Sequence, residues 1–459
     1  MYDDAVSRED VGRWESELAG LLARIRPLFY RTESKKHAEQ YVRGLLSPLG
    51  RKNGWTIAEH VGELEPTALQ RFLNLSPWDA DALLELNREY AMEHLADPAG
   101  ILVADPTGFA KKGTKSVGVQ RQYSGTLGRI DNCQIATFLC YVTPHRDRVL
   151  VDRRLYMPEQ SWMADPARCA AAGVPADLVF ATRPQQVIEM IRAARAAGMP
   201  FAWFTADEEF GHNPGLCDYL EGHRIPYVMA VAKNTQVADT ARGVTQVDEL
   251  ARGLPPNTWQ RRACGIGSKG HRVYDWALID SADPDHQYLI RRSIDDGELA
   301  FYHCYNPQHA NFGELVGVAG ARWPIEECFG SSKNENRTRQ LPSPHLERLA
   351  STYHPRHAHP HLPRRHRTPS QKKGRQHTTQ RDQQNNPSNP STEPETTPPI
   401  HRRLIALTLA EIRRLLNLAH SSEPEIRHGL HWSIFRRWHQ AQARRAHIRR
   451  HLRLQTLMI

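Results

Sequence analysis

The feature that most limits what this chain can fold into is a device used twice. Ile101-Leu102-Val103-Ala104-Asp105 is an apolar run of strand length that ends in a carboxylate, and Pro106-Thr107-Gly108 is expected to stop it. Phe201-Ala202-Trp203-Phe204-Thr205-Ala206-Asp207 repeats the device. Such runs predict buried strands, and open α/β sheets place their chemistry at the carboxyl ends of strands. A third carboxylate, Glu326, falls in Arg322-Trp323-Pro324-Ile325-Glu326, which predicts the opening of a helix. Three acids from distant parts of a chain make sense if they converge on a divalent ion, because Mg²⁺ prefers hard oxygen ligands.

The remaining segments follow from their periodicity. Residues 1–97 read as an all-α region. Trp14, Leu18, Leu21, Leu22 and Ile25 form one apolar stripe, with Ser7 and Asp10 placed as a capping pair. A second helical segment covers 38–46. The loop Gly50-Arg51-Lys52-Asn53-Gly54-Trp55 gathers two cations, an amide and an aromatic ring. Such a loop can hold phosphate while the ring stacks, or it can be a solvated turn with Trp55 in the core. Residues 98–335 switch to an α/β pattern, with strands expected at 101–105, 134–142, 201–206 and 227–231 and a helix at 184–197. Arg121 lies in a polar loop between the first two of these strands. Short β-like runs at 259–264, 271–279, 287–292 and 299–305 predict an antiparallel insertion spanning about 233–310.

Composition narrows the class. The 459-residue chain carries a formal charge of +9 and has a pI near 9.2, which favours a polyanionic partner, nucleic acid first. Seven scattered cysteines without a Cys-x-x-Cys pair read as reduced thiols. The N-terminus lacks the apolar stretch of a signal peptide, and no run approaches a membrane span, so a soluble intracellular protein with no membrane partner is expected.

Four stretches carry a resemblance: Asp105-Pro-Thr-Gly-Phe-Ala-Lys-Lys-Gly, Gly118-Val-Gln-Arg-Gln-Tyr-Ser-Gly-Thr, Thr205-Ala-Asp-Glu-Glu-Phe-Gly and Arg322-Trp-Pro-Ile-Glu-Glu-Cys-Phe. Together with Gly44-Leu-Leu and Arg51-Lys-Asn-Gly-Trp, they resemble the DDE insertion-sequence transposases over residues 13–333. The resemblance implies an RNase H-like core whose Asp105, Asp207 and Glu326 bind catalytic Mg²⁺, for which Mn²⁺ can substitute. The branch with a β-rich insertion has Tyr-x2-Arg-x3-Glu-x6-Lys around its third acid. Arg322, Glu326 and Lys333 keep that spacing, Ala319 stands at the tyrosine position, and the register selects Glu326 over Glu327. The family implies cleavage of double-stranded DNA at terminal inverted repeats, with water and then a freed 3′-OH as nucleophile, and joining to target DNA. It also implies a homodimer on DNA and a cytoplasmic, nucleoid-associated bacterial protein. Arg322 and Lys333 would contact the transposon end, and Lys111, Lys112, Arg121, Arg51 and Lys52 are further candidates for DNA contact. A nuclease of the same fold without strand transfer, and a non-catalytic DNA-binding remnant, are the alternatives.

After Lys333 the family pattern breaks. Residues 336–400 are crowded with Pro, His, Arg, Gln and Ser, a composition too poor in apolar side chains to order itself. Codons available from Asn336 onward, displaced by one nucleotide, can encode Thr-Gly-Leu-Asp-Asn-Tyr-Gln-Val-Arg, which matches the expected continuation. The segment is therefore read as out of frame, with the frame restored before the basic helical region at 401–459. On that reading the helix carrying Glu326 loses its docking face, and DNA cleavage is expected to be weak or absent. The rival readings of the segment are a basic DNA-binding linker and a histidine metal tract.

Overall fold

The computed structural model describes residues 6–125, 128–239, 243–267, 270–335 and 404–456. The proposed out-of-frame segment at 336–400 lies outside these residues. Five helices come first: α1 (Arg8–Ile25), α2 (Thr32–Leu46), α3 (Gly54–His60), α4 (Thr67–Leu75) and α5 (Ala80–Leu95). The expected capping box opens α1, with Ser7 accepting from the Asp10 amide and Asp10 from the Ser7 amide. The predicted stripe is buried in a core shared with Tyr41, Leu45 and Phe72.

A long mixed sheet follows. Its strands are β1 (Ile101–Ala110), β2 (Gln120–Ser124), β3 (Arg129–Val142), β4 (Arg148–Leu155), β5 (Trp203–Ala206) and β6 (Tyr227–Val231). Helices α6 (Pro166–Ala171) and α7 (Arg183–Ala196) precede β5, while α8 (Glu208–Gly211) and α9 (Pro214–Gly222) separate β5 from β6. β1 runs parallel to β5 and β5 to β6, whereas β3 lies antiparallel to both β1 and β4.

Two expectations are corrected here. β1 does not stop at Asp105 but continues to Ala110 against β3. Its parallel partner ends with Ala104 level with Ala206, so Pro106 sits where one side of the strand has no neighbour, a place that tolerates a strand proline. Arg121 lies on β2 and not in a loop.

The insertion holds the hairpin β7 (Gln236–Asp239) and β8 (Gly243–Gln246), then α10 (Val247–Arg252) and the antiparallel strands β9 (Gln260–Gly267), β10 (Gly270–Asp280), β11 (His286–Arg292) and β12 (Leu299–Tyr305). β12 pairs with β6, so the insertion extends the central sheet in the order β2-β3-β1-β5-β6-β12-β11-β10-β9. Helices α11 (Phe312–Gly320) and α12 (Trp323–Gly330) return the chain to the middle of the sheet. At Gly320 an added Cβ would lie 1.9 Å from the Cys264 carbonyl oxygen, so only glycine lets α11 close on β9.

The last helices, α13 (Leu409–Leu416) and α14 (Glu423–Thr456), join the N-terminal ones. Ile412 and Leu415 complete the α1–α4 core, and Asn417 donates to the Leu46 carbonyl at 3.1 Å. This helical assembly meets the sheet through α5. There Asn87 donates to Leu150 O and Arg88 Nε to Val151 O, both at 2.9 Å, and Arg88 pairs with Asp152. Among the described residues, no helix is long and apolar enough to cross a membrane.

Candidate active site

Strand parity decides where the aspartates point. Ile101 and Val103 belong to the apolar cluster built with α11 and α12, while Leu102 and Ala104 belong to the cluster on the opposite face with α7 and α9. A period of two puts Asp105 on the α12 face. On β5, Trp203 lies in the α12 cluster and Phe204 and Ala206 in the other, so Asp207 shares that face. The parallel register pairs Ile101 with Trp203 and Ala104 with Ala206. Asp105 and Asp207 are the next residues in that register.

Both carboxyls are perturbed. Burial pushes Asp105 up to about 8, reinforced by Asp207 and further by Glu326 and Glu209, against the pull of Arg322. Burial also raises Asp207, again opposed by Arg322. Asp207 caps α8 by accepting from the Glu209 amide at 3.1 Å. Glu209 is a fourth acid beside the pair that the strand pattern did not single out; it is ion-paired with Arg183 at 2.7 Å. Its clue was present in the run Asp207-Glu208-Glu209, where a capping carboxylate folds the next residues back over the strand end.

α12 carries the remaining parts. Arg322 pairs with Glu326 at 2.9 Å and lies 3.9 Å from Asp105. Burial alone would lower the Arg322 pKa, but Glu326 and Asp105 more than offset it. Glu327 is occupied elsewhere, by Arg148 of β4 at 2.5 Å and Arg272 of β10 at 3.3 Å. The helix is docked by residues that precede position 336. Ile325 and Cys328 are fully buried, and Phe329 meets Phe138 edge-on at 5.3 Å. The expected loss of its docking face is thus not seen through Lys333.

Lys333 itself is buried. It donates to Thr107 Oγ1 and to Gly108 O at 3.0 Å, and it covers the Phe109 ring. Lys52 is likewise fully buried and donates to Leu45 O. Both were expected to meet DNA; instead they hold backbone carbonyls inside the protein. Arg51, Lys112 and Arg121 are exposed and Lys111 is half-buried.

The acids offer oxygen alone, which suits a hard divalent cation, and two buried carboxyls, both raised by burial and Asp105 further by Asp207, are the environment such an ion relieves. Among the described residues no group of three or more His, Cys, Asp or Glu side chains forms a ready cage, and Glu326 is paired with Arg322.

Comparison with known proteins gives the family. The sequence model of the family described as DDE superfamily endonuclease matches residues 24–286, more than half of the chain, and ends before Glu326. A curated relative, the probable transposase for insertion sequence element IS701 of Microchaete diplosiphon, is 29% identical over 195 residues, covering 42% of this chain and 48% of the relative. The chain thus spans about half the length of that relative. A solved piggyBac transposase synaptic complex with hairpin DNA aligns over 75% of this chain and 70% of its own, at 9% identity and a TM-score of 0.38, too loose to support any statement about this chain.

Proposed function

Because the chain belongs to the DDE superfamily of endonucleases and is similar to an insertion-sequence transposase, we propose that it cuts the ends of a mobile element and joins them to target DNA. One observation carries the reading: Asp105 and Asp207 follow the last paired residues of adjacent parallel strands, on the face that α12 covers with Arg322 and Glu326. The strand order β4-β3-β1-β5-β6, with β3 antiparallel, supports an RNase H-like core for 98–335, and the helical region 1–97 supports a separate end-binding module.

Nucleases of this superfamily use divalent ions, and the oxygen-only donor set favours Mg²⁺, with Mn²⁺ as a substitute. When bound, such ions activate the attacking oxygen and stabilise the leaving one. Asp105 and Asp207 would hold the ions, with Glu326 joining once a phosphate competes for Arg322. Arg322 then has a bidentate partner in the DNA backbone. Exposed Lys112 and Arg121, with Lys111, would position the flanking duplex. On the same reading the chain would act as a homodimer on DNA in a cytoplasmic, nucleoid-associated setting.

The test is cleavage of a plasmid carrying the element's own ends in Mg²⁺. Nicks at those ends that vanish in Asp105→Asn support the reading, and joining of a cut end to a second plasmid separates a transposase from a simple nuclease. End binding without any cleavage, unchanged in Asp105→Ala, would leave only a DNA-binding remnant.

A further inference from the structure

We propose that the cleft between α3 and α4 takes an unpaired nucleobase of the bound DNA, stacked on Trp55; this rests on the transposase reading and adds a specific ligand to it. The cleft has a volume of about 330 Å³ and is lined by Arg51, Trp55, Gln70, Leu73 and Asn74, together with the turn at Asn53-Gly54. Its loop is inverted relative to ordinary solvation. Trp55 is 62% exposed, while Lys52, three residues earlier, is completely buried on the Leu45 carbonyl. Asn53 locks the turn by accepting from the amides of Trp55 and Thr56 at 2.9 and 3.0 Å. At Gly54 an added Cβ would lie 3.0 Å from Gln70 Cγ, so the start of α3 sits close against α4. The indole is thus presented to solvent by a rigid turn.

The chemistry of the lining selects the ligand. An indole face stacks on a base face, and in a duplex those faces are covered by neighbouring bases, so the occupant is an unpaired base. Leu73, buried at the floor, supplies an apolar contact. Gln70 and Asn74 are exposed amides able to donate to and accept from a base edge. Arg51 makes no ion pair among the described residues and can meet the adjoining phosphate.

The experiment uses the full chain and fluorescence anisotropy with a short mixed-sequence single strand, its abasic counterpart and the matching blunt duplex. Trp55→Ala is expected to weaken single-strand binding by about tenfold or more and to leave duplex binding within about twofold. Trp55→Phe should keep most of the single-strand affinity, and the abasic strand should bind the unmodified chain as weakly as the intact strand binds Trp55→Ala. Equal losses on single strand and duplex, or no loss on either, would overturn the base site while leaving DNA binding intact. Failure of the unmodified chain to bind any of the three DNAs would instead bring down the transposase reading, and the base site with it.

Discussion

Arg148 donates to Glu327 at 2.5 Å, tying α12 to the edge of the sheet one residue away from the acid that faces the aspartates. Adjacent glutamates on one helix are thereby divided between holding the helix down and facing the strand ends. Glu327→Gln leaves Arg148 and Arg272 without their carboxylate, and a partly buried pair of this kind is worth about 1–3 kcal/mol. Glu327→Gln should therefore lower the urea midpoint clearly, while Glu326→Gln, at a more exposed site, should barely move it yet remove cleavage. The reverse pattern would reassign the third acid to Glu327.

Gly211 closes the short helix that Asp207 caps. An added Cβ would stand 2.0 Å from the Ala230 carbonyl oxygen, and backbone cannot yield cheaply. Gly211→Ala should cost about 1–3 kcal/mol in a denaturant melt and displace Asp207, weakening Mn²⁺ binding along with stability.

In metal-free protein the Asp105 carboxyl, at about 8 when folded against 3.8 as its ordinary value, binds its proton more tightly folded than unfolded. Its contribution to stability is therefore complete below about pH 4 and is lost as pH rises toward about 8. Urea midpoints measured between pH 5 and 8 should fall with pH in the unmodified chain, and Asp105→Asn should flatten that slope. Added Mg²⁺ should flatten it too, by favouring the carboxylate.

His303 carries the opposite sign. Burial first, then His286 stacked on it at 4.9 Å, pushes its pKa down to about 4 from 6.5. The stability it contributes is present above about pH 6.5 and is lost as pH falls toward 4. A neutral substitute, His303→Gln, should reduce the loss of stability over that acid range in a thermal melt series.

The gene itself bears on residues 336–400. Resequencing should reveal a single-nucleotide insertion or deletion near codon 336 and a compensating one before codon 404. The chain with that frame restored should cut the element's ends about tenfold faster or more, since α12 would then continue into its family's helix. Codons that exclude the shifted peptide would make the segment a true linker.

Much of this site was legible in residue order because strands have a period of two. Reading Ile101–Asp105 and Phe201–Asp207 as strands places both aspartates at strand ends, and the observed register then sets them on one face. What could not be read was which cations turn inward. Lys52 and Lys333 sit in stretches as polar as those of Arg51 and Arg121, and only tertiary packing gives them backbone carbonyls to hold. Strand β4 was missed because Arg148, Asp152 and Arg153 interrupt its apolar run, although Arg148 and Asp152 find partners on α12 and α5. The halt expected at Pro106 failed because continued pairing with β3 outweighs a turn propensity.

The most direct measurement is Mn²⁺ binding to the purified chain without DNA, followed by electron paramagnetic resonance. It does not require the chain to be active. Saturable binding that weakens at least about tenfold in both Asp105→Asn and Asp207→Asn, with melting temperatures preserved, is the result expected if the strand ends hold the ion. Binding unchanged by either substitution would contradict the assignment of these aspartates as the metal site.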